Sequence, residues 1–399
     1  MSDTLASSAR TGPARSAAPA AQVFVNDPDS ERIVRQSLTE LGVADAHIEK
    51  GTVVTAIAAL AQGASSRLLV VDLSGVDDPV ARINDLANVC EPNTGVIAIG
   101  DRNDIILYRD LKYAGIAEYF FKPLVTDLVT RSCNAILTGT VERRGPRTGR
   151  LVFVVGVRGG AGATTVAVNT AWYLAELRQR WVMLADFDLQ NGDAALQLDV
   201  SPSHALREAC EHPERVDQLF LERAVIHVSQ RLDLLASLDR LGESAPVADD
   251  AIVTLLETLL NRYRYVFADV PAGLASTLTR ALHMPSTCVL VSNGSLTAAR
   301  DVARWREWFG PNTAERTTLH LLNMHGTPGA LPDREFARVA GQPPDIVVPY
   351  DRAVEAASNL GVKSTQKCAA LKRGLAPLIR QLSGEPLEVG RSFLSRMFG

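Results

Sequence analysis

The chain has 399 residues, of which 46% are hydrophobic and 22% are charged, and its formal net charge is −4. This length can hold two domains with full cores, and the composition is that of a globular protein rather than a disordered or fibrous one. The slight acidic excess argues against nucleic acid as the main partner. The five cysteines are widely spaced, which predicts buried thiols rather than disulfides or a metal site.

The chain begins with a segment, residues 1–21, that is rich in Ala, Ser, Pro and Arg. It lacks the apolar run of a signal peptide, and its composition predicts a disordered tail. No apolar run in the sequence is long enough to span a bilayer. We therefore expect a cytoplasmic protein.

Short apolar strands alternate with helical patterns from residue 22 onward. This alternation predicts a parallel α/β domain over residues 22–138. A polar, basic stretch with Gly and Pro, residues 139–150, is typical of an interdomain linker. The predicted strands are Val23–Val25, Arg67–Asp72, Val96–Gly100 and Glu118–Phe121, and the predicted helices include Glu31–Leu41 and Ile105–Ala114.

A second set of strands and helices predicts another doubly wound parallel-sheet domain over residues 151–382. Residues 383–399 then break the pattern with Gly and Pro and end in a short apolar and basic tail. The predicted strands of this domain are Leu151–Val155, Trp181–Asp186, Leu232–Leu235, Tyr265–Asp269, Thr287–Ser292 and Thr317–Asn323.

A glycine-rich segment, residues 156–165 with the sequence GVRGGAGATT, lies between the first of these strands and a helical pattern at 166–177. Backbone N–H groups of such a turn and of the following helix N-terminus can cradle a nucleoside phosphate. The position before the two threonines is Lys in such loops and Ala163 here. The sequence therefore predicts a phosphate cradle without the ammonium group that reaches the β- and γ-phosphates.

This loop resembles the deviant Walker A loop of the ParA/MinD family, which usually reads KGGxGKTT. The resemblance implies ATP and Mg²⁺ as ligands, with Thr164 as a metal ligand. Arg158 stands where the family has a lysine that reaches the partner's phosphates across a dimer, and it keeps a cation able to bind phosphate. The implied nucleotide-binding residues of the loop are Arg158, Gly159, Gly160, Ala161, Gly162, Ala163, Thr164 and Thr165.

Two acidic segments and two later positions extend the resemblance. Asp186 and Asp188 match the family's DxDxxxG motif, which implies catalytic carboxylates that position Mg²⁺ or the attacking water. Asp269 matches the Walker B aspartate in DVPAG, close to the DxPAG of MinD, and would hold Mg²⁺ through water. Asn323 matches the strand-end Asn that reads adenine, and Pro349 lies in a segment similar to the last nucleotide-side loop.

The first predicted domain resembles the receiver domain of response regulators, a flavodoxin-like fold. Asp72 ends a strand where receivers place their phospho-acceptor, Asp27 follows the first strand as a metal-binding acid does, and Lys122 ends the last strand. Receivers usually have a second acid before Asp27 and a hydroxyl residue at the end of the fourth strand, which is Gly100 here. We favour an interaction module in which Asp72 and Lys122 pair, over phosphorylation of Asp72.

A degenerate receiver-like domain followed by a ParA/MinD-type domain is similar to the CpaE/TadZ family. The resemblance implies a polar localisation factor for Flp/Tad-type pili. It also implies a homodimer that ATP stabilises and that docks on the pilus secretion ATPase or another assembly protein. Because one preorganised transition-state donor contributes about 10²- to 10³-fold to rate, the loss at Ala163 predicts weak or absent ATP hydrolysis.

Two other functions stay open on the sequence. An active MinD/ParA-type ATPase in cell-division or chromosome positioning is disfavoured by Ala163. A response regulator with a P-loop output domain is disfavoured by Gly100.

The end of the chain, if helical, places four apolar side chains on one face between two arginines. It resembles the membrane-targeting helix of MinD, which would put the protein at the inner face of the membrane. One short helix binds anionic membrane weakly, and two on one dimer bind more tightly. A helix that docks on its own domain or on a partner is the equal alternative. The four residues are Phe393, Leu394, Met397 and Phe398.

Overall fold

The computed structural model of the protein describes residues 18–92, 94–139, 149–240 and 247–383. These residues form two α/β units, each built around one sheet, which we call the first unit (18–139) and the second unit (149–383). Most of the predicted N-terminal tail and linker, and all four predicted tail residues from Phe393 to Phe398, lie outside the described residues. Within the described ranges, no helix is both long and apolar enough to cross a membrane.

The first unit is a parallel sheet of five strands in the order β2-β1-β3-β4-β5. This is the flavodoxin-like order, so the predicted fold class of this unit is confirmed. Its elements are β1 Ala21–Val25, α1 Pro28–Glu40, β2 Ala46–Lys50, α2 Val53–Gln62, β3 Leu68–Asp72, α3 Pro79–Val89, β4 Gly95–Gly100, α4 Ile105–Tyr113, β5 Glu118–Phe121 and α5 Thr126–Thr138.

Aspartate caps fix where three helices of this unit begin. The carboxylates of Asp27, Asp78 and Asp104 accept hydrogen bonds from first-turn N–H groups of α1, α3 and α4, which satisfies donors that a helix cannot pair internally. Pro28 and Pro79 occupy the first position of α1 and α3, where a missing N–H has no cost. The positions of these aspartates thus fix where the three helices begin.

The second unit has an eight-stranded sheet in the order β13-β12-β11-β6-β10-β7-β9-β8, parallel except for the short β8. Its strands are β6 Arg150–Gly156, β7 Val182–Asp186, β8 Ile226–His227, β9 Leu232–Ala236, β10 Tyr265–Val270, β11 Ser286–Ser292, β12 Arg316–His325 and β13 Ile346–Pro349. Its helices are α6 Ala163–Glu176, α7 Ala194–Gln197, α8 Ala205–Glu211, α9 Gln218–Ala224, α10 Asp249–Leu260, α11 Ala272–Ala275, α12 Leu296–Phe309, α13 Asp333–Ala340, α14 Arg352–Ser358, α15 Val362–Thr365 and α16 Ala369–Ser383.

The central strands of this sheet are buried on both faces. Every residue of β7, β9 and β10 is buried, as expected for parallel strands covered by helices on both sides. One apolar cluster includes side chains of α8, α10 and α12, and the other includes side chains of α6 and α16. The two layers hold the carboxyl ends of β6, β10 and β7 side by side at one edge.

Candidate nucleotide-binding site

The predicted phosphate loop connects β6 to α6 and lies at the carboxyl edge of the sheet. Gly160 and Gly162 have φ angles of +76° and +82°, a left-handed conformation that favours glycine. Gly162 is also the N-cap of α6, and no side chain caps that helix. The first N–H groups of α6 therefore have no side-chain acceptor at this end, as an anion cradle requires.

Asn323 contacts this loop directly. Its Nδ2 donates to the Ala161 carbonyl oxygen at 2.9 Å, and a Cβ at position 162 would lie only 2.4 Å from that nitrogen. Gly162 is thus required by its backbone angle and by the close approach of the amide. Asn323 therefore lies at the phosphate loop. Its predicted role in recognising adenine stays a prediction.

Two aspartates meet at the ends of adjacent strands. Asp269 in β10 and Asp186 in β7 are register partners. The Asp186 oxygens accept from the N–H groups of Asp188 and Ala194, both at 3.1 Å. A Cβ at Gly192 would lie 2.6 Å from Asp186 Oδ2, which explains the glycine of the DxDxxxG segment. Burial nevertheless raises the pKa of Asp186 to about 6.

Asp269 is the most strongly perturbed acid of the site. Burial, followed by the charge of Asp186, raises the pKa of Asp269 to about 8, although the Thr164 hydroxyl bonds to its carboxylate. Its Oδ2 is buried and has no hydrogen-bond partner among the described residues. A buried carboxylate oxygen beside a threonine hydroxyl offers the hard oxygen ligands that Mg²⁺ prefers. The residues present therefore fit Mg²⁺, with Thr164 and Asp269 as the groups that would hold it.

Ala163 is the first residue of α6 and packs over the start of the loop. Its Cβ would lie 3.3 Å from a Cβ at Gly156. A lysine at this position would bring an ammonium group to the helix N-terminus, whereas Ala163 brings a methyl group.

Asp188 is the second acid of the DxDxxxG segment and is half-buried. Its Oδ1 accepts a hydrogen bond from the Asn191 N–H at 2.9 Å, so one of its oxygens is engaged by the loop that follows β7.

Arg158 forms an ion pair that the sequence did not indicate. Its Nε lies 2.5 Å from Asp301 Oδ2 on α12, and Asp301 also lies 3.0 Å from Arg300 and 3.8 Å from Arg304. Asp301 is thus nearly buried among three guanidinium groups. The sequence sets this acid between Arg300 and Arg304, and such a mixed charge pattern is usually a solvated surface.

The predicted residue Pro349 ends β13 and lies opposite His325 in the register of β12. It is therefore at the same end of the sheet as Asn323, but among the residues that the structure describes no hydrogen bond joins it to the phosphate loop. A separate cavity of about 510 Å³ adjoins the loop through Val157. We do not place the nucleotide there, because its lining holds neither Thr164 nor Asp269. The lining residues are Val157, Ala272, Ser276, Asp301, Arg304, Trp305, Glu307 and Trp308.

In the first unit, the three predicted receiver residues form one cluster. Lys122 Nζ lies 2.6 Å from Asp72 Oδ2 and 2.7 Å from Asp27 Oδ2. Asp72 is fully buried, and its two oxygens also accept from the N–H groups of Asn26 and Ser74. Partial burial works against ionisation of Asp27, but the hydrogen bonds from Lys122 and Ser30 lower its pKa to about 2. The Lys122 ammonium thus neutralises one of the two carboxylate charges, and backbone N–H groups stabilise the buried Asp72.

Tyr119 occupies the space that a side chain at position 100 would need. A Cβ at Gly100 would lie 2.6 Å from the Tyr119 hydroxyl. That hydroxyl donates to the Arg102 carbonyl oxygen at 2.7 Å. The glycine found where receivers have a hydroxyl residue therefore gives room to a buried tyrosine.

Replacing Lys122 with Met should lower the free energy of unfolding of the first unit by about 3 kcal/mol, because Asp72 would be left as an unpaired buried charge. Urea denaturation of the full chain measures this change. Asp72→Asn combined with Lys122→Met should recover part of the loss, and Arg82→Met, in an exposed ion pair with Asp85, should change stability by less than about 1 kcal/mol. Equal effects of Lys122→Met and Arg82→Met would contradict the role of the cluster.

Comparisons with known proteins agree with the geometry of the second unit. Residues 150–300 match the family model described as Cellulose biosynthesis protein BcsQ. A putative septum site-determining protein MinD of Guillardia theta is 29% identical over 159 residues, covering 39% of this chain and 56% of that protein. The ParA family ATPase from Chlorobium tepidum TLS superimposes with a TM-score of 0.51 at 22% identity, covering 58% of this chain and 98% of the other.

The second unit therefore has the fold of a ParA/MinD-like P-loop NTPase domain. The chain spans about half the length of the curated MinD relative. A pilus assembly protein CpaE from Caulobacter crescentus CB15 is 26% identical, with a TM-score of 0.28, covering 30% of this chain and 93% of that one.

Proposed function

We propose that the protein is a nucleotide-dependent localisation and assembly factor for Flp/Tad-type pili, which binds Mg-ATP and hydrolyses it weakly or not at all. The observation that carries the proposal is that the site keeps the oxygen groups that would hold Mg²⁺ and lacks the lysine of the phosphate loop. The Thr164 hydroxyl hydrogen-bonds to Asp269, which keeps a buried oxygen without a partner among the described residues, whereas Ala163 supplies no cation. Such a site binds a nucleotide and lacks one donor for transition-state charge.

In this proposal the bound nucleotide holds two chains together. Mg²⁺ would supply the charge that neutralises the phosphates. Arg158 would exchange its ion pair with Asp301 for the phosphates of the second chain, to which a guanidinium can donate two hydrogen bonds. The dimer would then present one surface to the pilus secretion ATPase or to another assembly protein.

The first unit would serve as an interaction module in this assembly. The Lys122–Asp72 contact and the buried Tyr119 beside Gly100 support a fixed conformation over a phosphorylation switch. We place the protein in the cytoplasm, at a cell pole or at the inner face of the membrane, where the apolar tail residues Phe393 to Phe398 would bind membrane or a partner.

An active MinD/ParA-type positioning ATPase is the second candidate, because the chain is 29% identical over 159 residues to a putative MinD protein. Turnover separates the two candidates. A turnover rate typical of active family members, abolished by Asp269→Asn, would favour the ATPase.

The function is tested in cells that express the chain from its own locus as a fluorescent fusion. The wild-type fusion should form a focus at a pole and support surface pili, and Asp269→Asn should disperse the focus and remove the pili. The matched control is Glu257→Gln, an exposed acid on α10, which should behave as wild type. A focus and pilus count that survive Asp269→Asn would overturn the proposal.

A further inference from the structure

Arg231 belongs to the second unit, yet its side chain is buried against the first. Only 2% of the residue is exposed. Its guanidinium donates to the carbonyl oxygens of Leu60 and Gly63 at the end of α2, and of Val89, the last residue of α3. One side chain of the NTPase domain therefore closes the carboxyl ends of two helices in the receiver-like unit.

The groups that meet around Arg231 are suited to hold the first unit against the second. The last carbonyl groups of a helix lack donors within the helix and carry partial negative charge, and a guanidinium offers five N–H groups in a fixed plane. The Arg231 guanidinium also lies 4.6 Å from the centre of the Trp181 ring. Ala64, just after α2, packs against the apolar core of the second unit. Polar and apolar contacts thus coincide at this surface.

Two elements connect this surface to the phosphate loop. Trp181 directly precedes β7, whose last residue is Asp186. The N–H of Arg231 donates to the Ser229 hydroxyl at 3.2 Å, and that hydroxyl donates to Glu176, the last residue of α6. Because α6 begins at Ala163, both a strand and a helix run from the Arg231 contact to the nucleotide site.

We propose that the first unit is held on the second through Arg231, and that this docking is linked to occupancy of the phosphate loop. The linkage rests on the proposed nucleotide binding, whereas the docking does not. Docking fixes one end of α6 and of β7. When the first unit is released, these elements gain freedom that nucleotide binding must remove, which weakens affinity. By reciprocity, nucleotide binding strengthens the docking.

The test compares two variants from opposite sides of the surface in the full-length chain. Arg231→Ala removes the donor, and Ala64→Arg places bulk and a like charge against it. Both should increase the maximum dimension measured by small-angle X-ray scattering and raise the Kd for Mg-ATP about three- to tenfold. Arg280→Ala, at an exposed ion pair with Asp250, is the control and should change neither quantity.

Each result decides one part of the proposal. Wild-type scattering from both variants overturns the docking role of the surface, and Ala64→Arg decides the matter if Arg231→Ala does not fold. Open chains that keep the wild-type Kd overturn the linkage. A wild-type chain that binds no Mg-ATP overturns the proposed function, and the scattering result still tests the docking.

Discussion

Replacing Asp269 with Asn should make the nucleotide-free protein more stable and remove its Mg²⁺-dependent nucleotide binding. The carboxylate is buried beside Asp186, and its pKa is raised to about 8. In the unfolded chain this group ionises near its ordinary pKa of 3.8, so the folded state binds more protons than the unfolded state between pH 4 and pH 8. Its contribution to stability is therefore present below pH 4 and is lost as the pH rises to about 8.

The expected gain from Asp269→Asn is on the order of 2 kcal/mol in the free energy of unfolding at pH 8, and much smaller at pH 4. Urea denaturation of the nucleotide-free chain at both pH values measures it. Glu257→Gln on α10 is the control and should change stability by less than about 0.5 kcal/mol at either pH. A loss of stability at pH 8 would contradict the claim that the buried negative charge of Asp269 lacks a compensating cation in the nucleotide-free protein.

The same variant should raise the Kd for Mg-ATP by at least about tenfold, because the carboxylate that would hold the metal is gone. Binding of ATP in the presence of a chelator should change little. Titration calorimetry with and without Mg²⁺ separates the two effects. Equal losses under both conditions would show a general disruption of the loop rather than of the metal side.

Replacing Ala163 with Lys should produce the largest gain of function. The new ammonium group would stand at the N-terminus of α6, where it can reach a bound phosphate chain and the acids at the ends of β7 and β10. We expect a lower Kd for ATP and a turnover rate raised by about 10²- to 10³-fold, the contribution typical of one preorganised donor. Steady-state phosphate release by the full-length chain measures the rate.

Ala163→Met is the matched control, since it has similar length and no charge. It should not raise turnover, because the effect of lysine depends on its charge. If Ala163→Lys binds ATP tightly yet hydrolyses it no faster than wild type, the lost lysine is not what limits hydrolysis. That outcome would place the limit elsewhere, for example in the engagement of Asp186 by the N–H groups of its own loop.

The sequence allowed the central strands to be predicted because burial on both faces leaves a clear pattern. Leu68–Asp72 is a continuous apolar run that ends in an aspartate, and Tyr265–Val270 is one with Asp269 next to last. Each differs by one residue at one end from the predicted strand. Strand β2, AHIEK, was not predicted, because it lies at a sheet edge with polar, exposed side chains. The two-residue β8 is too short to leave a pattern. The segment around Pro349, which ends β13, was interpreted as a loop from its resemblance to the last nucleotide-side loop of the family.

The parts of the site that lie within one short segment of the chain could be predicted from the sequence. The glycine loop and the aspartates at strand ends follow from short motifs, and parallel strands bring such ends together. The contact of Asn323 with Ala161 and the ion pair of Arg158 with Asp301 join residues more than 140 positions apart. No spacing rule encodes these pairs, because the packing of α12 and β12 against the loop determines them. The Arg231 contact escaped prediction for the same reason.

Sedimentation velocity of the full-length chain, with and without Mg-ATP, tests most directly the claim that a bound nucleotide holds two chains together. We predict a monomer without nucleotide and a dimer with Mg-ATP that persists over hours, because hydrolysis is weak. Arg158→Ala should bind Mg-ATP and sediment as a monomer. A wild-type chain that binds Mg-ATP and remains monomeric would contradict the account.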